Sequence, residues 1–231
     1  MGDLLSPPQV IRNKNSTETT HARCKLFRQS FIRTHNSWLL RSLPRQLSFL
    51  VCRPTLDKDQ LSNYRPISNL SLISKIIERV VKSRLTDHLV SNGLHNPHQS
   101  AYCKHHSTET ALLYIHIHDH LINAIGSQKL SCLCLFDLSA AFDTIDHKIL
   151  ITRLSSWFGI RGSVLNWFKS YLTSRSFRVK CDKDFSTEHI SSCGVPQGSV
   201  LGPLLFVMYT TPLSTLISSL SLNHHLYAVC R

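Results

Sequence analysis

Asp137 is the carboxylate whose setting most asks for chemistry. It closes the apolar run Leu130–Phe136, and the residues after it, Leu138-Ser139-Ala140-Ala141-Phe142, offer it no positive partner. A charged carboxylate at the end of a buried strand is costly unless it binds a cation, pairs, or points into a solvent-filled cleft. Capping a helix is the other common use of such an aspartate. Asp143 and Asp146 follow at i, i+3 spacing, which suits capping and solvation of the next helix. Magnesium takes oxygen ligands and usually only one or two protein carboxylates beside substrate phosphates. Asp137 is therefore a candidate metal ligand. His116, His118 and His120 alternate, and His116 with His120 would share one helix face at the spacing a metal pair uses. Further ligands have no evident source nearby, and surface histidines are the competing reading. The eight cysteines contain no Cys-x-x-Cys, so neither a zinc ribbon nor a dithiol redox motif is supported. Cys132 and Cys134 fall in the apolar run, where small buried thiols are ordinary.

The elements that must position these residues are legible from Pro54 onward. Leu70, Ile73, Ile76, Ile77, Val80, Val81, Leu85 and Leu89 recur at helical spacing, with Lys75, Glu78, Arg79, Lys82 and Arg84 distributed elsewhere around the helix. Asn92-Gly93 stops it, Gly93 being suited to a left-handed C-terminal cap. A second helical stretch spans about 107–123, opened by the hydroxyls of Ser107 and Thr110. The run 130–136 reads as a strand buried on both faces. Helical patterns follow over 144–156 and within 157–173. Strands are expected at 177–180 and 188–191 around a turn at 182–184, then a helix over 199–209. Residues 222–228 alternate weakly, as a strand would. Helices and strands are interspersed, so the fold class is α+β.

Charge divides the chain unevenly. Of a net charge of +12, residues 1–53 supply +7, from nine Lys/Arg against Asp3 and Glu18. A basic balance favours phosphate-bearing partners without specifying sequence. The head, 1–53, is expected to be poorly ordered, because its hydrophobic residues lack the periodicity of a core face. Residues 54–231 form the domain. No run of about 18 apolar residues is present to span a bilayer, and no secretory signal opens the chain, so an intracellular protein with reduced thiols and no membrane contact is expected.

Four segments occur in an order that resembles the reverse transcriptases of non-long-terminal-repeat retrotransposons, the jockey-like elements in particular. They are Asn63-Tyr64-Arg65-Pro66-Ile67-Ser68, Gln99-Ser100-Ala101-Tyr102 with His106-Ser107-Thr108-Glu109-Thr110, Phe136-Asp137-Leu138-Ser139-Ala140-Ala141-Phe142-Asp143, and Gly194-Val195-Pro196-Gln197-Gly198 continuing to Pro203. The resemblance implies a right-hand polymerase fold with fingers plus an incomplete palm and no thumb. It also implies an RNA template, a DNA primer, deoxynucleotides and Mg²⁺ as partners. Position by position, Asp137 resembles the first metal-binding aspartate, assisted by the backbone carbonyl of Leu138. Phe142 resembles the steric gate under the incoming sugar. Gln197 resembles the residue packed near nucleotide and template, and Arg65 a fingers residue near the triphosphate.

Three departures bear on the chemistry this implies. Tyr227-Ala228 is followed by Val229-Cys230, where the family carries Asp-Asp as the rest of its metal site. Cys103 stands where relatives carry a basic residue, and no thumb follows the palm. Three functions are compatible with the sequence. The first is a polymerase domain by descent that cannot catalyse and keeps weak nucleic-acid binding. The second is an active enzyme whose transcript continues through Asp-Asp. The third is a non-enzymatic binding or targeting protein acting through its basic head.

Overall fold

The computed structural model describes residues 46–52, 64–102, 109, 123–130, 132, 134–138, 140–173, 175–181 and 184–227. The expected helix over 107–123, with its histidines, lies outside the described residues apart from Glu109 and Asn123, both helical.

Among the described residues a five-stranded sheet lies beside a cluster of four helices. Strand β1 (Gln46–Cys52) pairs antiparallel with β2 (Tyr64–Asn69), with Arg65 opposite Val51. On its other edge β1 runs parallel to β3 (Ser176–Cys181). The short strands β4 (Asp184–Phe185) and β5 (His189–Ile190) return antiparallel along β3, at opposite ends of it. Strands β3 and β5 fall where strands were expected at 177–180 and 188–191, and residues 182–183 of the expected turn lie outside the described residues. Strand β1 lies within residues 1–53, so the sheet draws on residues of the basic head. Ordered as Gln-Leu-Ser-Phe-Leu-Val-Cys, the segment has the β-branched and aromatic content a strand needs once neighbours supply both ladders.

Helix α1 (Leu72–Ser91) begins at Ser71, whose hydroxyl accepts from the Ser74 N–H at 3.2 Å. It ends in a Schellman motif, as Asn92-Gly93 foretold. Gly93 sits at φ +62°, its N–H bonds to Val90 O at 3.1 Å, and the Leu94 N–H reaches Leu89 O at 2.9 Å. Its buried face differs from the expected one. Ser74, Glu78, Val81, Leu85, His88 and Leu89 are buried, while Ile73 and Ile76 are exposed. The isoleucine-rich stripe and the buried stripe are both compatible with a 3.6-residue period, and packing against the other helices selects the one that carries Glu78.

Helix α2 (His147–Ser156) is capped by Asp146, whose carboxylate accepts from the Ile149 N–H at 2.9 Å. Helix α3 (Gly162–Leu172) and helix α4 (Gly202–Ser219) complete the cluster. Helix α4 runs past the expected end near 209, with buried Pro212 and Ser214 keeping its second half packed. Leu85, Leu150, Leu154, Phe168, Leu172, Leu201 and Leu205 are fully buried between the four helices. At roughly 1.5–3 kcal/mol for each large apolar side chain, this contact is the main source of stability here.

Two expected strands do not form. Among the described residues, 130, 132 and 134–138 are in no strand, and Leu130 and Phe136 are 99% and 92% exposed. A continuous apolar run becomes a buried strand only where another strand accepts its backbone hydrogen bonds, and none of the described strands pairs with it. Residues 222–227 make a single parallel bridge, Leu226 with Gln99, instead of a strand. They are held by Leu226 N–H to His98 O at 2.7 Å, by Ser100 Oγ with His225 Nε2 at 2.6 Å, and by Ser214 Oγ with His224 Nε2 at 2.6 Å.

Candidate functional site

The site is built where a tight turn meets a glycine-framed loop. In the turn, Ala140 takes the left-handed conformation at φ +52°, and its carbonyl accepts from the Asp143 N–H at 2.9 Å and the Thr144 N–H at 3.2 Å. Buried Ile145 then anchors the turn to the helical core, and Asp146 starts α2. The loop 194–198 docks on this turn through its backbone. Gly194 N–H donates to Ile145 O at 2.7 Å, and Val195 N–H donates to Phe142 O at 2.8 Å. His147 Nε2 donates to Gly194 O at 2.7 Å.

Glycine is required at position 194 for two reasons. Its φ is +81°, and a Cβ there would stand 3.0 Å from Asp143 Cα, Asp143 O and Phe142 O, all of them backbone. On its far side the loop meets the sheet, with Ser68 N–H donating to Gln197 O at 3.0 Å. Side chains close the junction. Gln197 Nε2 donates to Asp143 Oδ2 at 3.3 Å. The Phe142 ring meets Phe206 edge-on at 5.7 Å and faces Tyr102 at 6.1 Å.

The loop is fixed from behind by a buried carboxylate. Glu78, 2% exposed, accepts from the Val200 N–H at 2.6 Å, the Leu201 N–H at 3.3 Å and the Tyr171 hydroxyl at 2.8 Å. Ser199 Oγ accepts from the Gly202 N–H at 2.8 Å. The N-cap residue Leu201 offers no side-chain cap, so Ser199 satisfies the first amide of α4 and Glu78 of α1 holds the two amides that lead into it, where a negative charge suits the helix dipole. Burial is the main reason the Tyr171 phenol is pushed up from its ordinary value.

The structure thus gathers some of the expected residues and separates others. Phe142 and Gln197 share the junction, linked by Asp143. The expectation that Asp143 and Asp146 both serve the next helix holds for Asp146 alone. Arg65 lies on β2, three residues before the Ser68 that binds Gln197 O. Asp137 and Leu138 are exposed on the segment before the turn, not at the end of a buried strand. Glu78, Tyr102 and Ser199 were missed. The signal for Glu78 was present, since it sits three, seven and eleven residues before Val81, Leu85 and Leu89. Its charge had placed it on the solvent side.

Residues 56–228 match the family described as reverse transcriptase (RNA-dependent DNA polymerase). This chain belongs to the reverse transcriptase family. It is similar to the probable RNA-directed DNA polymerase from transposon BS of Drosophila melanogaster, 32% identical over 165 residues that cover 71% of this chain and 18% of the relative. A second relative is the probable RNA-directed DNA polymerase from transposon X-element of the same organism, 33% identical over 166 residues, 70% of this chain and 17% of the relative. The RNA-directed DNA polymerase from mobile element jockey of Drosophila funebris is 27% identical over 171 residues, 74% of this chain and 18% of the relative. The chain therefore spans under a fifth of the length of these curated relatives. It is a reverse transcriptase domain of jockey-like, non-long-terminal-repeat retrotransposon type, and its mixed helices and strands accord with a polymerase fold.

Reverse transcriptases depend on divalent metal, and the residues described here do not fit one. Among them no three His, Cys, Asp or Glu side chains come together as a metal-binding group. Asp137 is exposed, and its neighbours Phe136 and Leu138 are apolar. Val229 and Cys230 lie outside the described residues, and neither brings a carboxylate. Among the described residues no helix is long and apolar enough to cross a membrane.

Proposed function

We propose that this chain is a retrotransposon-derived reverse transcriptase domain that has lost catalysis and retains weak, charge-driven affinity for nucleic acid inside the cell. The observation that carries this reading is Val229-Cys230 directly after Tyr227-Ala228, where the family motif continues with two aspartates. Asp137, resembling the first metal-binding aspartate with the Leu138 carbonyl beside it, is then left without its complement. Phe142, as the steric gate, and Gln197, beside nucleotide and template, keep a turn and loop that pack on each other, with Arg65 on the adjoining strand as the fingers residue near the triphosphate. The scaffold for an RNA template, a DNA primer and a deoxynucleotide is thus retained while the Mg²⁺ chemistry is not. Fingers and palm of a right-hand polymerase are the parts to which the described elements correspond in this reading.

The test is primer extension on an RNA template with Mg²⁺, using purified chain. Losing about 4 kcal/mol of metal stabilisation slows the reaction roughly a thousandfold, so no extension is expected. Template-dependent incorporation that disappears in Asp137→Ala would refute the reading. Sequencing the transcript across codons 228–231 separates it from an active enzyme that reads Asp-Asp at 229–230.

A further inference from the structure

Helix α1 is apolar on two faces. Val81, Leu85 and Leu89 on its inner side enter the core, yet Ile73, Ile76, Val80 and Val90 on its outer side are 60%, 49%, 38% and 63% exposed. Single exposed apolar residues are ordinary, but a row of them along one helix marks a surface that gains by being covered. The spacing says by what. From Ile73 the outer positions follow at 76, 80, 83, 87 and 90, steps of three and four in alternation, which is the a and d seam of a heptad pattern. Ile73 and Val80, both β-branched, hold a positions, and Ile76 and Val90 hold d positions. Ser83 and Asp87 make the seam polar between them. Such a seam is filled by the side chains of a second helix, over roughly 25 Å at 1.5 Å per residue.

Charge along the edges of the seam selects the partner. Arg79 is exposed at a g position and Arg84 stands at an e position, with Lys75 and Lys82 farther out beside Arg79. Of the two acidic residues of α1, Glu78 is buried and Asp87 lies in the seam. Residues at e and g decide which helix pairs with which. We propose that the outer face of α1 docks an acidic amphipathic helix of another protein, with apolar residues at heptad spacing edged by Glu or Asp. A second copy of this chain is a poor match. Parallel and in register, it sets Arg79 against Arg84 and Asp87 against Asp87; antiparallel with full overlap, it sets Asp87 against Ile76. Like charges across a seam and a carboxylate pressed on an apolar side chain both cost stability. An anionic lipid surface would suit the basic edges but would also meet Asp87, whereas a partner helix can place a lysine there. The docked helix lies on the side of α1 away from Glu78 and the loop it holds, so this surface is independent of whether the domain polymerises.

The experiment is a fluorescence-anisotropy titration of two labelled synthetic peptides of about three heptads, leucine at a and d, with the full-length chain. One peptide carries glutamate at e and g, the other lysine. The parent chain is expected to bind the glutamate-edged peptide at least about tenfold more tightly, because every edge pair changes sign between the two. Ile73→Ser/Ile76→Ser should abolish that binding, which separates the seam from general attraction to a basic chain. Arg79→Glu/Lys75→Glu should reverse the preference. Ile73, Ile76 and Arg79 are exposed and Lys75 is half-buried, and circular dichroism verifies that each variant keeps its helices. Equal affinity for the two peptides overturns the proposal, as does binding that survives Ile73→Ser/Ile76→Ser, or no binding to the parent chain. It is also overturned if the chain sediments as a dimer, or floats with phosphatidylserine vesicles, through the same isoleucines, since a second copy or a lipid surface is then the occupant.

Discussion

Replacing Glu78 tests how α1 holds the loop that carries Gln197. In Glu78→Ala the amides of Val200 and Leu201, at 2.6 and 3.3 Å from the carboxylate, lose their acceptor in a region closed to water. A buried donor left unsatisfied costs about 1–3 kcal/mol. The longer of the two bonds counts for less. Removing the carboxylate also relieves the cost of keeping it out of water. The balance is a loss of about 2–4 kcal/mol, a large share of the roughly 5–15 kcal/mol that a domain has. Glu78→Gln keeps the volume and one acceptor oxygen but forfeits the charge-assisted part of those bonds, for a loss of about 1 kcal/mol. Urea unfolding followed by circular dichroism reads both. With a slope of about 2 kcal/mol per molar urea, the alanine variant shifts the midpoint down by roughly 1–2 M at unchanged slope, and the glutamine variant by about 0.5 M. An alanine variant within about 0.3 M of the parent chain would show that Glu78 does not hold the amides leading into α4, and the account of the loop would fall with it.

Gly194→Ala should cost at least about 2 kcal/mol, from its positive φ together with a Cβ pressed on the backbone of Phe142 and Asp143. Thermal unfolding measures it, and a neutral result would deny the close approach. Tyr171 sets the alkaline limit. Its phenol is raised in the folded state, so its stabilising contribution is complete below the unfolded value of about 10 and is lost as pH climbs above it. Tyr171→Phe should flatten that alkaline decline in a stability–pH profile. Asp146 works in the opposite direction: the Ile149 amide lowers its carboxyl, so its contribution is present above the unfolded value of about 4 and fades as pH falls through the folded one. Asp146→Asn should keep the cap and lose this acid dependence. RNA affinity should be weak and sequence-independent and should fall steeply with salt, because phosphate charge supplies it. Deleting residues 1–45, which carry eight Lys/Arg against Asp3 and Glu18, should weaken binding and lower the salt slope more than Asp137→Ala does. Equal binding by the deleted form in titrations at several salt concentrations would move the interface elsewhere.

Local signals were readable wherever one residue decides the outcome within a few positions. Asp146 as an N-cap follows from its own side chain reaching an amide three residues on. Gly93 ends α1 because a left-handed residue is needed there, and the antiparallel strands β3 and β5 follow from two short strand patterns. The family, too, is written in the sequence, since its four motifs are contiguous strings that need no structure to be seen. Tertiary packing decided the rest. Which stripe of α1 is buried depended on what lies opposite: Tyr171 and the start of α4 give Glu78 three donors, so a charged residue went inside and Ile73 stayed out. The apolar run 130–136 shows the reverse. Hydrophobicity says that a segment gains by being covered, but its backbone can join a sheet only where a partner strand offers free donors and acceptors, and no string of residues records whether that partner is there.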